Sequence, residues 1–361
     1  MMIFELLKLC IEKGASDLHF KTGYSPILRI DGNMRPIREM PEITHKDFEV
    51  MLEAILDDAQ LVTFQKYQKL DLGYSFSNAR FRVNLFNDFR GGNAVFRVIP
   101  FKQLTFNDIN LPQAGRKFAD KPNGLVLVTG ATGAGKSTTL SAYITYINNT
   151  YRKTIITVED PIEYLFEDNE SLISQRQVGV DCTTFEEGIR GALQTDCDVI
   201  MVGELRNLDA VEMTLLAAES GKLVFATLHS NTAVQAIDRF VNLCPKNLHQ
   251  QIMARLAAHL QGIVTQTLVP RKSGRGRLAA FEILINIPAV RGLITENRLH
   301  LIPSYLESGS TNGMVSLDNS LVELITSNKI TKDEGLLKAN NRSYVKRKVE
   351  EFEQVPGENK Q

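Results

Sequence analysis

Residues 124–139 read Gly-Leu-Val-Leu-Val-Thr-Gly-Ala-Thr-Gly-Ala-Gly-Lys-Ser-Thr-Thr, and they leave this chain little choice of fold. The apolar run 125–128 predicts a buried strand, Gly130 opens a loop and Lys136-Ser137 opens a helix, which completes the pattern Gly-x4-Gly-Lys-Ser/Thr. Glycines at 130, 133 and 135 let backbone N–H groups turn onto a phosphate chain, and the following helix offers its positive end to the same anion. The expected nucleotide-binding residues are therefore Gly130, Ala131, Thr132, Gly133, Ala134, Gly135, Lys136, Ser137 and Thr138. Lys136 supplies a point charge to the outer phosphates, and the Ser137 hydroxyl is placed to ligate Mg²⁺.

A chain of 361 residues exceeds what one core commonly supports, so two domains are expected. The formal net charge of −1 excludes a global field that would draw it to nucleic acid or anionic lipid. Cys10, Cys182, Cys197 and Cys244 form no Cys-x-x-Cys pair, which argues against a zinc site of the usual spacing and for reduced, partly buried thiols. The first residues carry an acid too early for a signal peptide, and no apolar run approaches a membrane span. A cytosolic protein without direct membrane insertion is expected, held at any membrane by something else.

Apolar positions at helical spacing predict a helix over 3–12, ended by Gly14. Residues 16–20, 26–30 and, across the Asp31-Gly32 turn, 34–37 read as strands; 44–57 and 58–68 read as helices. Three further strands, 70–76, 80–86 and 93–99, are broken at Ser77-Asn78 and Gly91-Gly92, giving a small α+β domain over 1–100. Alternation in 80–84 and 95–98 puts arginines on one face, as a solvated surface or as a row of cations offered to an anion.

A linker is expected from Pro100, covering 101–123. Strands 125–129, 154–158, 199–202 and 223–228 then alternate with helices 136–147, 185–193, 208–219, 232–243 and 246–260. This predicts an α/β core over 124–285 with a mostly parallel sheet, whose ligands lie at the carboxyl ends of the strands. Residues 263–269 and 277–285 flank a Ser-Gly-Arg-Gly turn as an edge hairpin. The remainder, 286–361, reads as short helices to 345 and a polar tail from 346 that frays.

Three strand ends carry chemistry. Asp198-Val-Ile-Met-Val-Gly-Glu204 is an apolar strand followed by a carboxylate, and Glu204 can orient or deprotonate a water attacking a phosphate held by Lys136; Asp198, at the entrance, reads as structural. Glu159-Asp160-Pro161-Ile162-Glu163 puts three acids within five positions, with Glu159 and Glu163 as candidates for metal and water contacts or simply an acidic loop. His229 closes a third strand, where it is either a structural histidine or a contact to the terminal phosphate. Arg206 and Arg239 lie where they could pair with these acids or with another subunit.

Taken together with Arg-Phe-Arg-Val-Asn (80–84), Val-Glu-Asp-Pro-Ile-Glu (158–163), Gly-Glu-Leu-Arg (203–206), Thr-Leu-His-Ser-Asn (227–231) and Gly-Ala-Ser-Asp-Leu-His-Phe (14–20), the chain resembles the type II/type IV secretion ATPase superfamily. Within it, the similarity is greatest to the type IV pilus retraction motors. The resemblance implies a PAS-like N-terminal domain joined to a RecA-like ATPase domain, ATP and Mg²⁺ as cofactors, and a hexameric ring with nucleotide between the domains. It also implies that Glu163 belongs to an Asp box, Glu204 to a Walker B motif and His229 to a His box. By the same resemblance Arg82 and Arg97 reach the phosphates, which would give the arginine face a purpose. Gly73, Asn207 and Lys222 depart from the family pattern, and residues 289–296 match its C-terminal retraction signature imperfectly.

The expected protein is an ATP hydrolase that powers pilus retraction as a homo-hexamer, against a membrane-embedded platform protein at the cytoplasmic face of the inner membrane. Alternatives are a pilus-extension or type II secretion ATPase, an accessory retraction paralogue, a nucleic-acid translocase and a nucleotide-binding regulator. A tetracysteine zinc insert, which the resemblance implies for extension and secretion members, has no counterpart among the four cysteines. The translocase would want a basic, aromatic-studded channel, and Trp is absent.

Overall fold

The computed structural model describes residues 2–30, 32–77, 79–99, 104–274, 276–308 and 313–354. Asp31, Asn78, Pro100, the first three residues of the expected linker, Arg275 of the Ser-Gly-Arg-Gly turn and residues 355–361 of the tail lie outside them. The chain divides into two compact units, Met1–Lys102 with Pro161–Leu165, and Gln103–Asp160 with Phe166–Gln361.

The first unit opens with α1 (Met2–Glu12), followed by β1 (Asp17–Lys21), β2 (Ile27–Ile30) and β3 (Asn33–Pro36). Helices α2 (His45–Ile55) and α3 (Asp58–Tyr67) start at Thr44 and Asp57, each of which closes a capping box with the residue three positions on. Such caps satisfy backbone donors a helix start leaves open and stabilise it by about 1 kcal/mol. Strands β4 (Lys69–Phe76), β5 (Ala79–Asp88) and β6 (Gly91–Ile99) complete an antiparallel sheet of order β3-β2-β1-β6-β5-β4. Phe81, Val83 and Leu85 on β5, with Leu18, Phe20 and Phe96, form one buried face with Leu6, Leu7 and Cys10 of α1. The alternation read from the sequence holds, with Arg82 and Arg97 on the other face.

The second unit begins with the short α4 (Gln113–Arg116), and Phe106, Leu111 and Phe118 of the stretch expected as a linker are buried in its core. Strand β7 (Gly124–Thr129) is buried at every position and feeds α5 (Lys136–Thr150). There follow β8 (Thr154–Glu159), β9 (Leu172–Gln177), α6 (Phe185–Leu193), β10 (Val199–Val202), α7 (Leu208–Glu219), β11 (Leu223–Leu228), α8 (Ala233–Asn242), α9 (His249–His259), β12 (Leu260–Pro270) and β13 (Arg277–Ile285). The sheet order is β13-β12-β7-β11-β10-β8-β9, parallel throughout except for the antiparallel edge strand β13.

Helices α10 (Pro288–Thr295), α11 (Ile302–Ser308), α12 (Leu317–Thr326), α13 (Lys332–Lys338) and α14 (Arg342–Gln354) close the described chain. The predicted tail is corrected here: α14 continues through Gln354 because Val345 and Val349, one turn apart, are both buried. Strand β9 was not predicted, and the helix expected over 246–260 begins as α9 only at His249. All four cysteines are buried free thiols. No described helix is long and apolar enough to cross a membrane.

Candidate active site

Parallel strands β7, β10 and β11 are in register, so residues 130, 203–204 and 229 leave the sheet side by side at its carboxyl edge. The loop between β7 and α5 is built around its glycines. A Cβ on Gly130 would lie 2.6 Å from the Gln266 carbonyl, and Gly135, the residue before α5, has φ +90°, a left-handed conformation that a side chain resists. Gln266 supports the loop from β12, its Oε1 accepting from Thr139 Oγ1 at 2.7 Å and its Nε2 donating to the Ala134 carbonyl at 2.6 Å.

Lys136, 9% exposed, turns its ammonium back on this loop, donating to the carbonyls of Gly130 at 3.1 Å and Ala131 at 3.2 Å. Its third neighbour is His229 Nδ1 at 3.2 Å. Because an ammonium only donates, Nδ1 must accept, and the His229 proton resides on Nε2, which faces Glu204 Oε1 at 2.9 Å. Burial and the Lys136 charge push the His229 imidazole below its ordinary pKa, against the pull of Glu204, which fits this neutral tautomer. Glu204 Oε2 in turn accepts from Arg206 Nε at 3.0 Å, and Arg206 reaches Asp160 Oδ2 at 2.7 Å.

The structure thus strings Lys136, His229, Glu204, Arg206 and Asp160 together in series. Arg239 lies on α8 beside them, lining a cavity of about 570 Å³ with Ala131, Thr132, His229, Ser230 and Asp238. Thr227 Oγ1 donates to the Gly203 carbonyl, fixing the strand ends that carry Glu204 and His229. Asn207 caps α7 by accepting the Ala210 N–H at 3.0 Å, as an aspartate could in the same place. Asp198 accepts the Thr154 N–H at 2.9 Å and ties β10 to β8, the structural part expected of it.

Glu159 is 5% exposed, with Oε1 accepting from Thr157 Oγ1 at 2.7 Å and Gln175 Nε2 at 3.2 Å. Ser137, half-buried, sits on the first turn of α5 with Thr138 beside it. Hydroxyl and carboxylate oxygens are the donor set a hard divalent cation takes. Glu163 is half-buried in the segment Pro161–Leu165, which groups with the first unit.

On the first unit, Arg29, Asp17, Arg97 and Arg82 lie in one row across β2, β1, β6 and β5. Two arginines directly opposite each other repel. The acids around them offset this: Asp17 accepts from Arg97 Nε at 2.8 Å and lies 3.6 Å from Arg29, while Asp71 is 3.8 Å from Arg82. Sequence reasoning missed Asp17, Gln266 and Gln175; a signal was available only for Gln266, a polar residue inside the largely apolar strand β12, whereas β1 and β9 are themselves mostly polar.

Burial alone would raise the Asp17 carboxyl, yet hydrogen bonds from Arg97 and Ser16 hold it below its ordinary value. A carboxyl held low contributes stability above its unfolded pKa and loses it as pH falls through the folded value. Asp17→Asn is therefore expected to cost about 1–3 kcal/mol by urea unfolding at neutral pH. The gap from wild type should close on acidification; a gap independent of pH would refute the ion-pair account.

A parallel sheet with a phosphate-binding loop, and an acid and an imidazole at the two strand ends beside it, defines a nucleotide-hydrolase class of α/β module. The family model for type II/IV secretion system proteins matches residues 1–311. The chain belongs to that family. It is 42% identical over 340 residues to the type IV pilus retraction ATPase PilT of Pseudomonas aeruginosa, covering 94% of this chain and 98% of the relative. The type IV pilus ATPase PilU of the same organism is 35% identical, with 94% and 89% covered. A crystal structure of the pilus retraction motor PilT with bound ADP superimposes with a TM-score of 0.89 at 37% identity, covering 96% of this chain and 99% of that one.

Proposed function

We propose that the chain is an ATP-hydrolysing motor for type IV pilus retraction, assembled as a homo-hexamer and working against a membrane-embedded platform protein at the cytoplasmic face of the inner membrane. The observation that carries this reading is the end-to-end likeness to a retraction ATPase, 98% of which is spanned, in a chain whose Lys136, His229 and Glu204 are hydrogen-bonded in series. In this reading residues 1–100 are a PAS-like domain, 124–285 the RecA-like core and 286–361 a helical extension with a polar tail, while the stretch 101–123, expected as a linker, contributes Phe106, Leu111 and Phe118 to the core of the second unit.

Residues 130–138 hold the phosphates through backbone N–H groups, and Lys136 supplies charge. Glu204 has both oxygens anchored, by His229 and Arg206, so its remaining lone pairs are aimed rather than free to rotate. That suits it to orient and deprotonate the attacking water. His229, neutral and bridging Glu204 to Lys136, couples the acid to the phosphate loop. Magnesium, when bound, neutralises charge on the phosphate oxygens, and Ser137 with Glu159, both on the second unit, is where this chain would hold it. Arg82 and Arg97 are the cations proposed to stabilise charge developing on the transferred phosphoryl group.

Deleting the gene in a piliated host is expected to abolish twitching while pili persist on the surface, as counted by electron microscopy. Loss of the pili themselves would replace retraction by extension; unchanged twitching and piliation would favour an accessory paralogue.

A further inference from the structure

Glu282 is a buried acid for which the reading above has no use. It lies on β13 at 5% exposure, and its Oε1 accepts the backbone N–H of Ala233, the first residue of α8, at 2.7 Å. Taking a carboxylate out of water is costly unless it is hydrogen-bonded. Burial accordingly drives its pKa up, with Asp318 adding to the rise and the Ala233 N–H opposing it. Burying a carboxyl at this position opposes folding, so packing does not account for an acid here.

Its position does. Glu282 is opposite Thr265 of β12, Thr265 is opposite Thr129 of β7, and Thr129 is opposite Leu228 of β11. This row crosses the sheet directly beneath the site: Thr129 precedes the phosphate loop and Leu228 precedes His229. The Thr129 and Thr265 hydroxyls, 2.9 Å apart, show that the row faces one side. Between Leu228 and Ala233 the chain makes a short turn. Within it Asn231 N–H donates to Gln235 Oε1, and Thr232 Oγ1 accepts the Gln235 N–H, both at 3.2 Å. Those bonds shape the turn internally, whereas the bond to Glu282 ties it to the sheet. The β12–β13 hairpin therefore carries two struts, Gln266 to the phosphate loop and Glu282 to the start of α8.

We propose that Glu282 is a positioning residue for hydrolysis, fixing the start of α8 and with it the turn 229–232 that brings His229 to Glu204 and Lys136. This rests on the proposed use of Glu204 and His229 in turnover. It assigns the strut to the chemical step rather than to nucleotide capture, because the phosphate loop is held independently by Gln266.

The test compares E282L, E282Q and E204Q in the full chain, measuring steady-state ATP turnover and equilibrium binding of a fluorescent ATP analogue. E282L should lower kcat about tenfold, the scale of one lost buried hydrogen bond, and leave analogue affinity within about threefold. E282Q, which keeps an acceptor for the Ala233 N–H, should stay within about threefold of wild-type kcat. Wild-type kcat in E282L, equal losses in both variants, or a parallel fall of kcat and affinity would each overturn the inference. Should E282L not fold, T232A, which weakens the same turn from the outside, must lower kcat instead; unchanged kcat overturns it. Full turnover in E204Q would refute the underlying reading, whatever Glu282 does.

Discussion

Glu204→Gln is expected to give a folded protein that binds ATP and turns it over about 10²–10⁴-fold more slowly, the range a positioned general base supplies. The amide keeps the size of the side chain and can still accept from His229 Nε2–H, now 2.9 Å from Oε1; its NH2 cannot accept from Arg206 Nε, so that bond is lost while Arg206 keeps Asp160. What is lost is the negative charge facing Arg206 and the capacity to take a proton. Circular dichroism and nucleotide binding would verify the fold while a coupled phosphate-release assay reads the rate. A Glu204→Gln protein with wild-type turnover would remove Glu204 from the chemistry.

Lys136→Ala has the second large effect, and it strikes binding as well as rate. The ammonium is a charge-assisted donor held in a buried setting, and removing one such preorganised donor costs about 10²–10³-fold in kcat. Analogue affinity should fall in the same protein, unlike in Glu204→Gln. Stability should fall by about 1–3 kcal/mol, because Lys136→Ala leaves the buried Gly130 carbonyl, with the Ala131 carbonyl and His229 Nδ1, without this donor. Unimpaired analogue binding in Lys136→Ala would place the phosphates elsewhere.

Much of the second unit could be read from the chain because its signals are local. Strands 199–202 and 223–228 and helices 185–193 and 208–219 have the predicted bounds, since apolar runs end at Gly or at a capping residue. Strand β9 escaped because only its last residue is buried and Ser-Gln-Arg-Gln carries no apolar alternation. The tail misled for a related reason: two valines four residues apart among charges do not advertise a buried stripe, yet they keep α14 helical.

In the site, Glu204 and His229 were legible because each follows an apolar strand of known direction. Their bonds were not. Arg97 and Asp17 are 80 residues apart in sequence, and Thr139 and Gln266 are 127 apart. Such partners depend on strand order, and the sheet brings β12 beside β7 after more than a hundred intervening residues. No periodicity in either segment names the other.

An ammonium has three protons, and in this structure Gly130, Ala131 and His229 each offer Lys136 an acceptor. An arriving phosphate oxygen therefore competes with groups already in place. Occupancy of the loop is a replacement reaction, its affinity the difference between old and new partners, and whichever acceptor is displaced must find another donor.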